Sequence, residues 1–330
     1  MEKAKKLNVI GQLLLLSAAM AWGTSFFILK ETISQVPTFY VIAIRFAVAG
    51  VGLALIFFKR FKKISKATFF RGLVLGLFLA CAYFSQTIGL KLTTPGRNAF
   101  LSASYCVMCP FIIWLLFKKR PKLYNVVSAV MCIVGIGFIA LSGNSGGGDL
   151  VLLGDGLTLV SAVFFGLQII YIDKFSSEGH DPIQMLVAEI LTVGAIMTVY
   201  TLAIELPING GLAFKLNLDQ ILKIGYLTLV CTLYTQMVQI IGQRYASANQ
   251  SSIILSLESV FGTAFSVLFS SEKLSVLIVL GFIIVFFAML VSELKIDPRK
   301  LILRKRINNF DTKMQNNDLS DGLENKNNEG

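Results

Sequence analysis

The chain has 330 residues, of which 55% are hydrophobic and 15% charged, and its mean hydropathy is +0.72. This composition excludes a disordered chain and an ordinary soluble domain, and it predicts an all-α polytopic membrane protein. The net charge of +11 does not indicate a nucleic-acid partner, because Lys and Arg lie in short runs between apolar segments. The five cysteines all fall within apolar segments, so we expect no disulfide framework, no metal site and no cofactor.

Apolar segments long enough to cross a bilayer follow one another along most of the chain. The connections between them are short and leave no room for a soluble domain. The ten predicted spans are Asn8–Leu29, Phe39–Phe58, Gly72–Leu90, Asn98–Phe117, Leu123–Leu141, Gly154–Ile172, Pro182–Leu206, Gln220–Ile241, Asn249–Phe269 and Leu274–Leu294.

The distribution of Lys and Arg predicts the orientation of these spans. If the N-terminus lies inside, the basic runs at 59–71 and 118–122 both lie in inner connections, and the outer connections contain only scattered basic residues. We therefore expect a multi-pass protein of the plasma membrane with both termini in the cytoplasm. The tail after Leu294 is basic at first and then rich in Asn, Asp and Glu, which is typical of a disordered segment.

The two halves of the chain resemble each other. The aligned pairs are Gly11 with Gly154, Trp22 with Phe165, Arg45 with Glu189, Gly50 with Gly194, Gln86 with Gln239, Gly89 with Gly242, Asn98 with Ser251, and Tyr105 with Glu258. Each half has five spans, an odd number, so the second half must cross the membrane in the opposite orientation. We predict two inverted five-helix repeats at 8–142 and 154–294, with a cytoplasmic N-terminus at 1–7, a Gly-rich outer linker at 143–153 and a cytoplasmic tail at 295–330.

Glu258 lies near the middle of the ninth span, where a charged side chain is costly. An acid at this depth usually faces a water-filled cavity or a partner and marks a route for a solute or a proton. We predict that Glu258 binds substrate and couples transport to protons, because binding a proton or a cation offsets the lost hydration. The alternative is a protonated acid that only packs the helix.

Repeat symmetry and helix periodicity place other polar and aromatic residues around the same cavity. The predicted substrate-binding residues are Glu258, Tyr105, Trp22, Tyr83, Gln86, Asn98, Gln168, Gln236, Gln239 and Ser251. The alternative for the amides and the serine is that they hydrogen-bond neighbouring helices. Arg45 and Glu189 are predicted to be structural or gating residues in opposite leaflets, where they would not pair directly.

Five motifs carry a family resemblance: Ala21 to Phe26, Ile44 to Phe46, Thr93 to Ala99, Leu257 to Phe261, and Ser271 to Leu274. With these motifs the chain resembles the drug/metabolite transporter superfamily, specifically its ten-helix branch with two tandem EamA-type domains. Ser259 stands where that family usually has proline. The resemblance implies a secondary carrier of small metabolites, often an exporter of amino acids or toxic compounds, with a cavity between the halves.

We therefore predict a secondary-active exporter of small metabolites, amino acids or related amphipathic compounds, that works by alternating access. Its predicted partners are a small-molecule substrate, the lipid bilayer and protons, and its predicted state is a monomer or a homodimer. A membrane scaffold or receptor without transport is the main alternative. An integral membrane enzyme is a further alternative, but the sequence contains no H-E-x-x-H, Walker A or G-x-S-x-G motif.

Overall fold

The computed structural model describes residues 2–141, 148–208, 210–211, 216–245, 248–269 and 275–294. These residues are almost entirely helical, so the all-α membrane fold predicted from the sequence is confirmed. The predicted tail at 295–330 and residues 143–147 of the predicted linker lie outside the described residues. The first helix after that part of the linker begins at Gly148, within the range predicted as linker and before the predicted span at Gly154.

Fourteen α-helices and two π-helical segments make up the described part of the chain. In the first half they are α1 Glu2–Ile33, α2 Thr38–Ile56, α3 Phe58–Phe61, α4 Lys66–Leu92, α5 Pro95–Ala103, α6 Tyr105–Phe117 and α7 Leu123–Leu141. In the second half they are α8 Gly148–Ser177, α9 Pro182–Tyr200, α10 Leu206–Ile208, α11 Leu218–Thr228, α12 Thr235–Tyr245, α13 Ala248–Phe269 and α14 Val276–Glu293. The π-helical segments are Thr201–Glu205 and Leu229–Tyr234.

Seven helical stretches among the described residues are long and apolar enough to cross a membrane. Three shorter apolar helices, Leu123–Ile139, Ile254–Phe269 and Val276–Ser292, occupy the positions of the fifth, ninth and tenth predicted spans. The count of ten spans stays a prediction. Large apolar side chains such as Leu55, Ile133 and Leu268 point outward and are about 70% exposed, as expected for a surface that faces lipid.

Short polar residues set where several helices begin. The side chains of Ser65, Asp181 and Ser275 accept hydrogen bonds from the first backbone N–H groups of α4, α9 and α14. Asn217 and Gln220 form a reciprocal capping box at the start of α11. These caps satisfy backbone donors that have no partner inside the helix, so each span has a defined starting point.

The fourth predicted span is broken into α5 and α6 at Ser104. The Ser104 hydroxyl donates to the carbonyl of Leu101 at 2.6 Å, a local bond that competes with regular helix geometry. Pro110 has no N–H to bond the carbonyl of Cys106, and this carbonyl accepts instead from Ser292 at 3.5 Å. The break turns α5 toward the interior, where all nine of its residues are buried.

Contacts between the halves follow the pattern that an inverted repeat predicts. Helix α8 of the second half packs against α4 and α6, and its repeat equivalent α1 packs against α12 and α13. The remaining equivalent helices pair with each other, α2 with α9 and α7 with α14. A Cβ on Gly154 would lie 3.0 Å from the Gly89 carbonyl oxygen, and a Cβ on Gly242 would lie 3.0 Å from that of Gly11. The aligned glycines therefore form two equivalent close helix crossings. The predicted repeat boundaries themselves stay a prediction.

Candidate functional site

A cavity of about 680 Å³ lies between the two halves of the chain. Its walls come from α1, α2, α4, α5 and α6 of the first half and from α8, α9, α12 and α13 of the second. A cavity of this size accommodates a small-molecule ligand. A second, shallower pocket at residues 55–60 lies on the surface, and none of the predicted site residues lines it.

Nine of the ten predicted substrate-binding residues line this cavity. They are Trp22, Tyr83, Gln86, Asn98, Tyr105, Gln168, Gln236, Gln239 and Glu258. The tenth, Ser251, lies on α13, but its side chain is outside the described residues. The cavity is also lined by Arg45 and Glu189, which were predicted to be structural or gating residues. Position in the wall does not establish a role, so the roles of all these residues stay predictions.

The polar side chains of the cavity fall into two groups. In the first group the side chains form hydrogen bonds with other residues of the protein. Gln86 donates to Ser102 at 2.9 Å, and Asn98 donates to Thr158 at 2.7 Å and to the backbone carbonyl of Gln86 at 3.2 Å. These bonds hold α5 against α4 and α8, which is the structural alternative that the sequence left open for the amides.

In the second group the side chains have no hydrogen-bond partner within the described part of the chain. This group contains Gln236 and Gln239 on α12 and Glu258 on α13. Glu258 is partly exposed although it lies inside the bundle, so its exposed surface faces the cavity. Unused polar groups on a cavity wall are available to a ligand or to water.

Glu189 differs from Glu258 in its surroundings. It is only 1% exposed, and its carboxylate accepts a hydrogen bond from Gln168 Nε2 at 2.7 Å. The Gln168–Glu189 pair joins α8 to α9 on one wall of the cavity. Glu189 is therefore held in place by a neighbour, whereas Glu258 is not.

Arg45 is 2% exposed, so it does not reach the membrane surface as a snorkelling side chain would. Its Nε donates to the hydroxyl of Thr232, and its Nη2 donates to the carbonyl of Cys231 at 3.1 Å. The indole N–H of Trp22 donates to the same carbonyl at 3.2 Å. Both acceptors lie in the π-helical segment Leu229–Tyr234, where the irregular backbone makes this carbonyl accessible.

Other residues of the cavity wall were not predicted from the sequence. Ser25, Ser102, Cys109, Phe165 and Asp173 all line the wall. Phe165 carried a signal, since it aligns with Trp22 in the repeat. The others are small or lie near a helix end, and nothing in their spacing separates them from ordinary packing residues.

The cavity is open at one end. Asp173 and Pro182, which line it, are both exposed, so we call the end near residues 173–182 the open end. Basic residues concentrate there. Arg60 lies 2.6 Å from Asp181, and Arg71 lies 3.5 Å from Glu178.

The opposite end, near residues 90–97, is sealed by buried polar contacts, and we call it the closed end. Arg97 on α5 forms a buried ion pair with Asp155 on α8, and it also donates to the Ile139 carbonyl at 2.8 Å. Asp155 also accepts from the hydroxyl of Thr93 at 2.8 Å. Lys30 donates to three carbonyls around the end of α4, at 2.7 to 2.8 Å. The Arg97–Asp155 pair therefore joins the two halves at this end of the cavity.

Comparisons with known proteins agree with this architecture. The family model described as the EamA-like transporter family matches residues 9–141 and again 152–293. An uncharacterized transporter of Archaeoglobus fulgidus is 28% identical over 278 residues, which cover 84% of each chain. The uncharacterized transporter YvbV of Bacillus subtilis is 27% identical over 186 residues, which cover 56% of this chain and 60% of that protein. A solved crystal structure superimposes with a TM-score of 0.61 at 17% identity, covering 89% of this chain and 99% of the other, and it shows the fold alone.

The two family matches together span most of the chain and confirm the resemblance inferred from the motifs. They point to a multi-pass membrane transporter with a small-molecule substrate, and not to an enzyme. The chain belongs to the EamA-like transporter family.

Proposed function

We propose that the protein is a secondary-active exporter of small metabolites, amino acids or related amphipathic compounds, and that it works by alternating access. The observation that carries this proposal is a cavity between the halves, with polar side chains in a mostly apolar wall, that is open at one end and sealed at the other. A carrier must expose its site to one side at a time, and such a cavity is what one of its two states requires. The protein works in the plasma membrane as a monomer or a homodimer.

The charge distribution supports an orientation in which the open end faces the cytoplasm. The basic runs at 59–71 and 118–122 belong to this end, because Arg60 pairs with Asp181 and Lys174 lies 5.4 Å from the ring of Phe117. Cytoplasmic connections carry an excess of Lys and Arg in membrane proteins. Both termini then lie in the cytoplasm, and the closed end faces outward.

Glu258 is the proposed proton-coupling residue. Its carboxylate has no hydrogen-bond donor among the described residues, so in the charged form it depends on water or on a ligand. A proton and a cationic group on the substrate would compete for the same carboxylate. Such competition exchanges outward movement of substrate for inward movement of protons.

The test has two stages. An overexpressing strain is first screened for tolerance to toxic amino acids, purines, their analogues and cationic drugs. Raised tolerance to one class identifies the exported substrate, whereas a scaffold or receptor would change tolerance to none. The purified protein is then placed in liposomes that contain a pH-sensitive dye, and proton movement is followed when the identified substrate is added.

Glu258→Gln and Glu189→Gln are the matched variants for this second stage. Both remove one acid from the same cavity, but the amide that replaces Glu189 can still accept a hydrogen bond from Gln168. We expect Glu258→Gln to exchange substrate without responding to an imposed pH gradient, and Glu189→Gln to retain the response. Uphill, proton-dependent transport by folded Glu258→Gln would show that the coupling assignment is wrong.

A further inference from the structure

Arg45 is a buried cation without an anionic partner in the described part of the chain. Arginine keeps its charge under all physiological conditions, and a buried charge without a counter-charge is costly. The hydrogen bonds of its guanidinium go to the hydroxyl of Thr232 and the carbonyl of Cys231, which are both neutral. The nearby aromatic rings of Phe46 and Tyr83, at 5.6 and 5.5 Å, stabilise a cation only partly.

The acids of the cavity wall do not neutralise Arg45. Among the described residues, no ion pair joins Arg45 to Glu189, Glu258 or Asp173. Glu189 is bonded to Gln168. The cavity wall therefore carries one cationic position, Arg45, and three acidic positions: Glu189, Glu258 and, at the open end, Asp173.

We propose that Arg45 is an anion-binding site, and that the solute moved through this cavity carries a carboxylate group that Arg45 binds. A guanidinium has five N–H donors in a planar fork, and the contacts to Thr232 and Cys231 use two of them. The remaining donors match the two oxygens of a carboxylate. The two bonds to the π-helical segment fix the fork in place, so little conformational entropy is lost on binding.

The charges around Arg45 favour a carboxylate over a phosphate. A phosphate with two negative charges would meet one cation and three acids in the same cavity, whereas a carboxylate carries a single charge. A solute whose carboxylate binds Arg45 and whose amino group lies toward Glu258 would place each of its charges beside a residue of opposite charge. This inference rests on the proposed function only in identifying the bound solute with the transported one.

Binding can be measured without transport by means of the two tryptophans of the chain. Trp22 lines the cavity, whereas Trp114 is 47% exposed on the outer surface. In a Trp114→Phe protein in detergent, fluorescence therefore reports on the cavity through Trp22 alone. The probes are 3-phenylpropionate, which has only a carboxylate, phenethylamine, which has only an amine, and inorganic phosphate.

We expect 3-phenylpropionate to bind saturably and Arg45→Gln to weaken it about 10- to 100-fold, the loss of a charge-assisted bond. The affinity for phenethylamine should change by less than about threefold in the same variant, because Arg45 does not bind its amino group. Arg45→Lys keeps the charge but not the fork, so it should restore only part of the affinity. Phosphate should bind more weakly than the carboxylate.

A purely structural Arg45 gives a different result. Thr232→Val removes the bond to Nε but leaves the charge, so it should lower the unfolding temperature and keep the preference for the carboxylate probe. If folded Arg45→Gln lost the same affinity for 3-phenylpropionate and for phenethylamine, the anion-site proposal would be wrong. Tighter binding of phosphate than of 3-phenylpropionate would also contradict it. Absence of saturable carboxylate binding at probe concentrations far above those of ordinary metabolites would also overturn it.

Failure of transport is a separate outcome. A protein that binds carboxylates through Arg45 but moves no solute would contradict the transport proposal alone. A protein that moves its solute equally well as parent and as Arg45→Gln would contradict the anion site alone.

Discussion

Replacing Asp155 by asparagine should unlock the closed end of the cavity. Asp155 and Arg97 are both more than nine-tenths buried and form an ion pair across the two halves. Asparagine keeps the size of the side chain but removes its charge, so Arg97 loses the counter-charge that Asp155 supplies. Removing one partner of a buried pair costs about 3–5 kcal/mol.

This free-energy cost destabilises only the conformation in which the closed end is sealed. When the closed end opens, Arg97 and Asp155 are hydrated separately, so the substitution changes little in the open form. Because asparagine can still accept a neutral hydrogen bond, we take the lower value of about 3 kcal/mol, which corresponds to about a 100-fold shift of the opening equilibrium.

Cys109 provides the measurement, since it lines the cavity. The other cysteines, Cys81, Cys106, Cys132 and Cys231, are replaced by alanine. A membrane-impermeant thiol reagent is then applied separately from each side of sealed vesicles. We expect Asp155→Asn to raise the labelling rate from the closed end about 100-fold, while labelling from the open end falls or stays unchanged.

Two further variants check the reasoning. In the Arg97→Gln, Asp155→Asn double variant neither member of the pair leaves a charge buried, so closure should be partly restored and the two effects should not add. Glu31→Gln removes the Glu31–Lys223 ion pair, in which Glu31 is 51% exposed. Because an exposed pair contributes little, this variant should change the labelling rate of Cys109 from the closed end by less than about fivefold. Unchanged labelling in Asp155→Asn, or additive effects in the double variant, would refute the role of this pair.

Two predictions concern stability. A Cβ at Gly194 would lie 2.8 Å from the backbone nitrogen of Ala47, so Gly194→Ala should destabilise the α2–α9 crossing by about 1–3 kcal/mol, while Gly156→Ala, which meets no atom within 4 Å, should not. A lower thermal midpoint for both, or for neither, would contradict this packing argument. Glu205 accepts from the first backbone N–H groups of α2 at 2.7–2.8 Å, so Glu205→Ala should cost about 1–2 kcal/mol in the same thermal assay, and an unchanged midpoint would show that this cap is not needed.

The spans could be predicted because their signal is local. An apolar stretch of membrane length must satisfy its own backbone, so length and composition are enough to place a helix. The break at Ser104 and the π-helical segment at Leu229–Tyr234 could not be predicted in this way. They depend on particular bonds, such as that of Ser104 to Leu101, that an uninterrupted apolar run does not reveal.

The cavity was predicted better than the role of its charges. Repeat symmetry and helix periodicity placed nine polar and aromatic residues around one cavity without any knowledge of the packing. Asp155 was not singled out, because it follows a Gly-rich linker and its partner Arg97 lies 58 positions away in sequence. Arg45 and Glu189 were expected in opposite leaflets without direct pairing, and this stays a prediction. Both line the one cavity, whose helices α2 and α9 pack together at Gly50 and Gly194.

A symmetric scaffold supports an asymmetric site in this molecule. Gln86 and Gln239 are aligned in the repeat, yet Gln86 is bonded to Ser102, whereas Gln239 has no partner among the described residues. Tyr105 in the first half aligns with Glu258 in the second, so only one of the two positions carries an acid. The first repeat thus uses its cavity amides to hold helices together and contributes Arg45 as a cation. The second repeat leaves two of its amides and Glu258 available, so a ligand that contacts both repeats would span the boundary between the halves, which is where the proposed alternating access requires movement.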